Sequence, residues 1–286
     1  MAGTLSFRRV AVIGTGLIGG SFALALRRQF PEVAIVAYDR VGDRAVALGV
    51  AHETAADIPT AVHGADLVYI ALPIGATIEA LPAIAKSAPS SALVTDACST
   101  KAAICRAAGE HFRGGACFLG GHPMAGKERS GIDHADAALF SGAPYALIAQ
   151  HDAADPRIAN FAKVLDAIGA KPVWCDADTH DWAVGIVSHL PQLVAVALAR
   201  VVHDETDETG MPLTLAGQGL QDTLRLAGSP YEVWRDIFLT NKDNLSRSLD
   251  RLAQAIEHLR TALASRDLEH EFKTANDIYE LLHKMR

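Results

Sequence analysis

Residues 9–20 read Arg-Val-Ala-Val-Ile-Gly-Thr-Gly-Leu-Ile-Gly-Gly. The run from Arg9 to Ile13 is short and apolar, which predicts a strand buried on both faces. Gly14, Gly16 and Gly19 follow at G-x-G-x-x-G spacing, and a helix-like run continues from Gly19 to Gln29. Strand, glycine turn and helix in that order form the fingerprint of a dinucleotide-binding unit. The first glycine allows the tight turn, the second lets backbone approach a pyrophosphate, and the third lets helix pack on strand. The stretch Gly14-Thr15-Gly16-Leu17-Ile18-Gly19 would thus present free N–H groups and a helix dipole to phosphates. Asp39 stands 20 residues past Gly19, where its carboxylate accepts from both ribose hydroxyls and repels a 2′-phosphate. The expected cofactor is NAD, with NADP less favoured; Arg40 beside Asp39 softens that preference, because a guanidinium there can hold the phosphate.

Outward from this unit, the pattern repeats. Apolar runs at Val33–Tyr38, Leu67–Leu72 (closed by Pro73), Ala92–Thr95 (closed by Asp96), Tyr145–Ala149 and Pro172–Cys175 predict strands. A helical stretch, Pro156–Ile168, separates the last two. Leu72 and Pro73, at the end of one such strand, are placed at the cofactor. Strands alternating with helix-length segments imply an α/β fold, a Rossmann-type doubly wound sheet that is mostly parallel. Past residue 176 strand-like runs vanish. Ala183–Val202 is apolar nearly all round and predicts a buried helix, and Leu245–Ala264 and Asp267–Lys284 predict amphipathic ones. The expected domains are therefore 1–176, dinucleotide-binding, and 177–286, an all-helical substrate and dimerisation domain in which the apolar helix pairs with a second copy, giving a homodimer.

The 286 residues are half hydrophobic with net charge −7 and no basic block, which argues against nucleic acid as a partner. Cys98, Cys105, Cys117 and Cys175 form no C-x-x-C pair and have no histidines at zinc-ligand spacing, so reduced thiols and no metal are expected. The N-terminus lacks an apolar signal core, and the apolar runs read as too short to span a bilayer. A cytoplasmic protein without a membrane partner is the expectation.

Residues 120–131, Gly-Gly-His-Pro-Met-Ala-Gly-Lys-Glu-Arg-Ser-Gly, are poor helix and poor strand and read as a loop holding polar groups. His122 is its candidate proton acceptor. A proton acceptor on one chain with a hydride-carrier site suggests a dehydrogenase acting on an alcohol carbon.

Five passages carry a resemblance to a known family: GTGLIGGS (14–21), DACSTK (96–101), GHPMAGKERSG (121–131), Ser188-His189-Leu190-Pro191, and GQGLQDTLRLAGSPYEVWRDIFLTN (217–241). In order and spacing the chain resembles the prephenate and arogenate (cyclohexadienyl) dehydrogenases. That resemblance implies an oxidative decarboxylation in tyrosine biosynthesis, with prephenate and/or arogenate as substrate. It implies that His122 takes the ring hydroxyl's proton as hydride leaves, and that Ser99 bonds both the histidine and that hydroxyl. Arg225 is expected to grip a substrate carboxylate through paired, charge-assisted hydrogen bonds, facing the nicotinamide from across the cleft that His122 shares. Glu128 matches a family acid near the mouth of the site. Asp222 either orients Arg225 or makes an ordinary surface pair. Trp234 is either core or substrate wall, Ser188 and His189 either pack or touch substrate, and Asp96 and Lys101 shape a turn.

Two departures mark this chain. Gln192 and Gln221 stand where many prephenate-preferring members carry a histidine and a lysine. Fewer cations near the substrate tolerate an ammonium better, so arogenate is expected to be accepted, with Gln192 at the substrate. Two rivals remain. A β-hydroxyacid-type dehydrogenase would place a catalytic lysine on the helix from Ala183, which has none. A non-catalytic NAD-binding dimer would have no need of His122 and Arg225.

Overall fold

The computed structural model describes residues 7–39, 42–127, 129–149, 155–265 and 267–284. Arg40 and Glu128 lie outside them. The elements run β1 (Arg9–Ile13), α1 (Leu17–Gln29), β2 (Ala34–Tyr38), α2 (Gly42–Ala47), β3 (Glu53–Thr54), α3 (Ile58–Val62), β4 (Leu67–Ile70), α4 (Ile74–Ser87), β5 (Leu93–Asp96), α5 (Ala102–His111), β6 (Cys117–Pro123), β7 (Pro144–Ala149), α6 (Pro156–Ala167) and β8 (Lys171–Trp174). Helices alone follow: α7 (Ala177–Val184), α8 (Leu190–Glu205), α9 (Met211–Thr214), α10 (Gln218–Leu224), α11 (Tyr231–Thr240), α12 (Lys242–Ser265) and α13 (Glu269–Lys284). A wide turn at Gly185–His189 joins α7 to α8, and a tight one at Arg225–Gly228 precedes α11.

The eight strands are ordered β3-β2-β1-β4-β5-β6-β7-β8. Every pairing is parallel except β6 with β7. Because strand side chains alternate, Val10, Val12, Leu67 and Tyr69 enter one apolar layer with Phe22 and Leu26 of α1. Ala11, Ile13, Val68 and Ile70 enter the other, with Leu81 and Ile84 of α4. Both faces are covered, so the strands are apolar throughout rather than alternating. Phe22 stacks on Tyr69 with ring centroids 3.8 Å apart, and the Tyr145 hydroxyl donates to that of Tyr69 at 3.1 Å.

Two expectations need correction. The segment holding His122 is the end of a strand, not a loop. Gly120 and Gly121 hid it from a propensity reading, and the packing explains them. A Cβ on Gly121 would come within 2.5 Å of the Asp96 carbonyl, and one on Gly120 within 2.9 Å of Cys105 Sγ. Pro123 closes the strand, where a missing N–H costs least. Second, the helix from Ala183 is not buried in the single chain. Gln192 and Ala195 are buried on α8, whereas Val187, Val196 and Val201 are exposed. By length and composition alone, Ala177–Glu205 would pass for a membrane span. Here it carries the buried polar residues His180, Asp181, His189 and Gln192.

The chain divides into two compact units, Met1–Asn241 and Lys242–Arg286. The first extends past the sheet because hydrogen bonds tie α11 and its end back to it. Asp236 Oδ2 accepts from Gly75 N at 3.1 Å, the Thr240 and Thr100 hydroxyls meet at 2.8 Å, and Asn241 Nδ2 donates to the Asp181 carbonyl at 2.8 Å. In the second unit His258 and Glu271 join α12 to α13 at 2.7 Å, and Leu263, Phe272 and Leu282 are exposed.

Candidate active site

The strand order reverses between β1 and β4, where doubly wound folds bind ligands beyond the carboxyl ends of their strands. A cavity of about 440 Å³ opens there. Gly16, Leu17 and Ile18 line it from the glycine turn, Leu72 and Pro73 from the end of β4, and Ser99 and His122 from beyond β5 and on β6. Ser229, Pro230, Glu232 and Asp236 close the opposite side.

The glycine turn fits a dinucleotide phosphate. Gly14 has φ +92°, and a Cβ on it would meet the Ala71 carbonyl at 2.6 Å; a Cβ on Gly19 would meet the Gly14 carbonyl at 1.9 Å. Gly16 faces open space, with nothing within 4 Å of its Cβ position. It caps α1 without a side-chain bond, and no acid stands in the first turn. The helix start therefore keeps its N–H groups and positive dipole end for an anion. Asp39 Oδ2 accepts from Thr15 N at 2.6 Å and from its hydroxyl at 3.1 Å, which holds the carboxylate over the turn.

On the other wall, β6 places His122 on the cavity, yet the side chain is 8% exposed. Burial first, then the nearby His180, Lys101 and His189, push its pKa well below the usual histidine value. The imidazole is therefore neutral at physiological pH and available as a base. Its Nδ1 meets His180 Nε2 at 2.9 Å, and His180 Nδ1 meets Asp181 Oδ1 at 2.8 Å. Asp181 in turn accepts from the backbone N–H of Lys101 at 2.7 Å and of Ala102 at 2.9 Å. The backbone beside His122 is also gripped. Lys101 Nζ, paired with Asp96, donates to the Gly121 carbonyl at 2.6 Å, and Gly121 N donates to Asp96 Oδ1 at 3.1 Å.

Family models match nearly the whole chain: prephenate dehydrogenase, nucleotide-binding domain, over residues 22–174, and prephenate dehydrogenase, dimerization domain, over residues 176–277. The chain belongs to the prephenate dehydrogenase family. It is 33% identical to the prephenate dehydrogenase of Bacillus subtilis, covering 94% of this chain and 74% of that one. It is 32% identical to the cyclohexadienyl dehydrogenase of Zymomonas mobilis, covering 92% of each. Among solved structures, prephenate dehydrogenase from A. aeolicus in complex with hydroxyphenyl propionate and NAD+ superposes with TM-score 0.89 at 26% identity, over 99% of this chain and 100% of that one. Synechocystis arogenate dehydrogenase superposes with TM-score 0.81 at 29% identity, over 97% and 100%.

Within this prephenate dehydrogenase family member, not all the sequence candidates meet. His122, Ser99, Leu72 and Pro73 share the cavity; the bond at His122 Nδ1 goes to His180 rather than to Ser99. Ser188 and His189 sit in the wide turn before α8. His189 is buried, its Nδ1 accepts from Asn241 Nδ2 at 3.1 Å, and burial lowers its pKa to about 4. Trp234 packs edge-on against His189 with centroids 5.9 Å apart, and its indole Nε1 is buried without a partner. Gln192 Oε1 is likewise buried and unpaired. Arg225 is exposed and does not line the cavity with His122, although its turn leads directly into Ser229. Asp222 accepts from Gln218 at 2.8 Å. Sequence reasoning missed His180, Asp181 and Asn241. The available signal was an adjacent His-Asp pair directly before a long apolar helix.

Proposed function

We propose that the chain catalyses the NAD-dependent oxidative decarboxylation of prephenate and/or arogenate, giving 4-hydroxyphenylpyruvate and/or tyrosine. One observation carries the reading: a buried neutral imidazole opens onto the same cavity as an uncapped helix start at a dinucleotide turn.

NAD, when bound on Gly14–Gly19 and Asp39, supplies the hydride acceptor. His122 does the proton work of the chain. As hydride leaves the carbinol carbon, the hydroxyl becomes strongly acidic, and His122 Nε2 takes its proton. When the ring carboxylate departs as carbon dioxide, the bonding pair enters the ring and the oxygen recovers the proton as a phenol. The proton is borrowed and returned, so turnover releases none directly, and a base of low proton affinity suffices. Ser99, on the same wall, orients the hydroxyl.

Arg225 is assigned to a substrate carboxylate, supported by its place on the turn leading into Ser229. The unpaired Gln192 carbonyl supports acceptance of arogenate, since an ammonium satisfies a buried amide oxygen and a carbonyl group does not. Ser188, His189, Asp222, Trp234 and, outside the described residues, Glu128 and Arg40 keep their proposed places around substrate and cofactor.

The family's dimerization domain and the exposed apolar faces of α8, α12 and α13 support a homodimer. The proposed division at residue 176 follows the seam between the two family matches rather than the compact units. A cytoplasmic location, with no nucleic-acid or membrane partner, completes the proposal. Absorbance at the reduced nicotinamide band tests it: NAD with prephenate or arogenate produces NADH, and silence with both substrates ends the reading.

A further inference from the structure

We infer that His180 and Asp181 are positioning residues that fix which nitrogen of His122 bears its resting proton and hold the charge while the substrate's proton is on loan. The inference rests on the proposed reaction and names two side chains that the reaction does not itself require.

The geometry gives the chain of bonds one direction. Asp181 is held by two backbone N–H groups at the start of α5, so its Oδ1 faces His180 as an acceptor. His180 Nδ1 must then carry hydrogen, which leaves Nε2 as a lone pair. That lone pair lies 2.9 Å from His122 Nδ1, so this nitrogen carries hydrogen in turn. What remains on His122 is an unprotonated Nε2, the nitrogen needed at the substrate hydroxyl. The tautomer of one ring nitrogen is set by the bond the other makes, and here the rule is applied twice in series. When Nε2 takes the proton, the Nδ1 proton can move to His180 Nε2, placing the positive charge beside the Asp181 carboxylate. When the phenol forms, both shifts reverse, and no proton is gained or lost.

The charge that arrives with the borrowed proton lands on a buried ring, that of His122. Around it stand Lys101 with its partner Asp96, His180 and His189; around His180 stand Asp181, His122 and His189. Lys127, Arg129, Glu232 and Asp236 line the cavity beyond. Of these groups Asp181 alone is bonded into the histidine pair as an anion.

The test uses the full-length protein with NAD and whichever substrate it turns over. His180→Leu removes both links, and kcat falls by about 10²-fold or more, on the usual scale of general base catalysis, while NAD affinity and KM stay close to wild type. His180→Gln offers an oxygen to His122 Nδ1 and recovers part of kcat. Asp181→Asn lowers kcat and moves the acid limb of kcat/KM to lower pH, because the pair loses the anion that favours protonation. In the His180→Leu background Asp181→Asn costs nothing further. A purely structural role would lower melting temperature and leave the limb in place. Nitrogen-15 NMR of the wild-type imidazoles needs no variant: the Nδ1–H tautomer is expected on both rings, and Nε2–H on His122 overturns the inference. Wild-type turnover with an unaffected His180→Leu enzyme overturns the inference and leaves the proposed function standing, whereas a wild-type protein inactive on both substrates removes both.

Discussion

Lys101 and Asp96 form an ion pair with no solvent exposure on either side chain, and the pair closes on the backbone one residue before His122. The two side chains clasp the Gly121 carbonyl and N–H, so the end of β6 cannot shift without breaking a charged contact. Removing one partner of a buried pair costs about 3–5 kcal/mol because the other charge is left uncompensated. Lys101→Met is therefore expected to lose stability on that scale in urea unfolding. The folded remainder should also lose kcat, as His122 moves off its position.

The buried histidines set a pH dependence of stability. His122 and His189 have folded pKa values below the unfolded value near 6.5, that of His189 at about 4. Between those limits the unfolded chain binds more protons than the native one, so stability falls as pH drops below about 6.5. Each unit of separation is worth about 1.4 kcal/mol. Urea midpoints should decline between pH 6.5 and 4, and the decline should shrink in His189→Asn, in which that ring no longer titrates. Activity follows the same sign. The acid limb of kcat/KM is expected below 6.5, because His122 stays neutral further into acid than an exposed imidazole.

Gln192 predicts a substrate preference. Its carbonyl oxygen is buried and unpaired and does not line the cavity that holds His122; on the proposed reading it accepts from the ammonium that distinguishes arogenate from prephenate. Gln192→Leu should lower kcat/KM for arogenate about tenfold, the scale of one buried hydrogen bond to a charged group, and that for prephenate much less. No arogenate turnover by the wild-type protein would end this idea.

The apolar surface predicts assembly. Val187 in the first unit, and Leu263 and Phe272 in the second, are each about two-thirds exposed, and large apolar side chains left at a surface mark places of interaction. Analytical ultracentrifugation is expected to give a dimer. Leu263→Glu should shift it toward monomer without unfolding α12, since glutamate is a good helix former.

Much of this was legible in the residues. The glycine turn, six of the eight strands and the break after residue 176 follow from apolar runs and their punctuation. Strand β6 was not, because Gly-Gly-His-Pro carries no strand propensity; close packing against Asp96 and Cys105 makes it a strand. Strand β3, with two residues, is too short for any periodicity. His122 and Ser99 could be placed from motif spacing. His180 and Asp181 could not, because a polar pair at the head of an apolar helix reads as surface until the fold turns it onto β6. Arg225 shows the limit in the other direction, since its motif is clear while its turn leaves it exposed beside the cavity rather than in it.

The central claim is that His122 takes the substrate's hydroxyl proton during hydride transfer. Steady-state turnover of His122→Asn against wild type, with NAD binding measured in parallel, tests it most directly. The account predicts a fall in kcat of about 10²–10⁴-fold, with NAD affinity retained. A variant that turns over within a fewfold of wild type would contradict it.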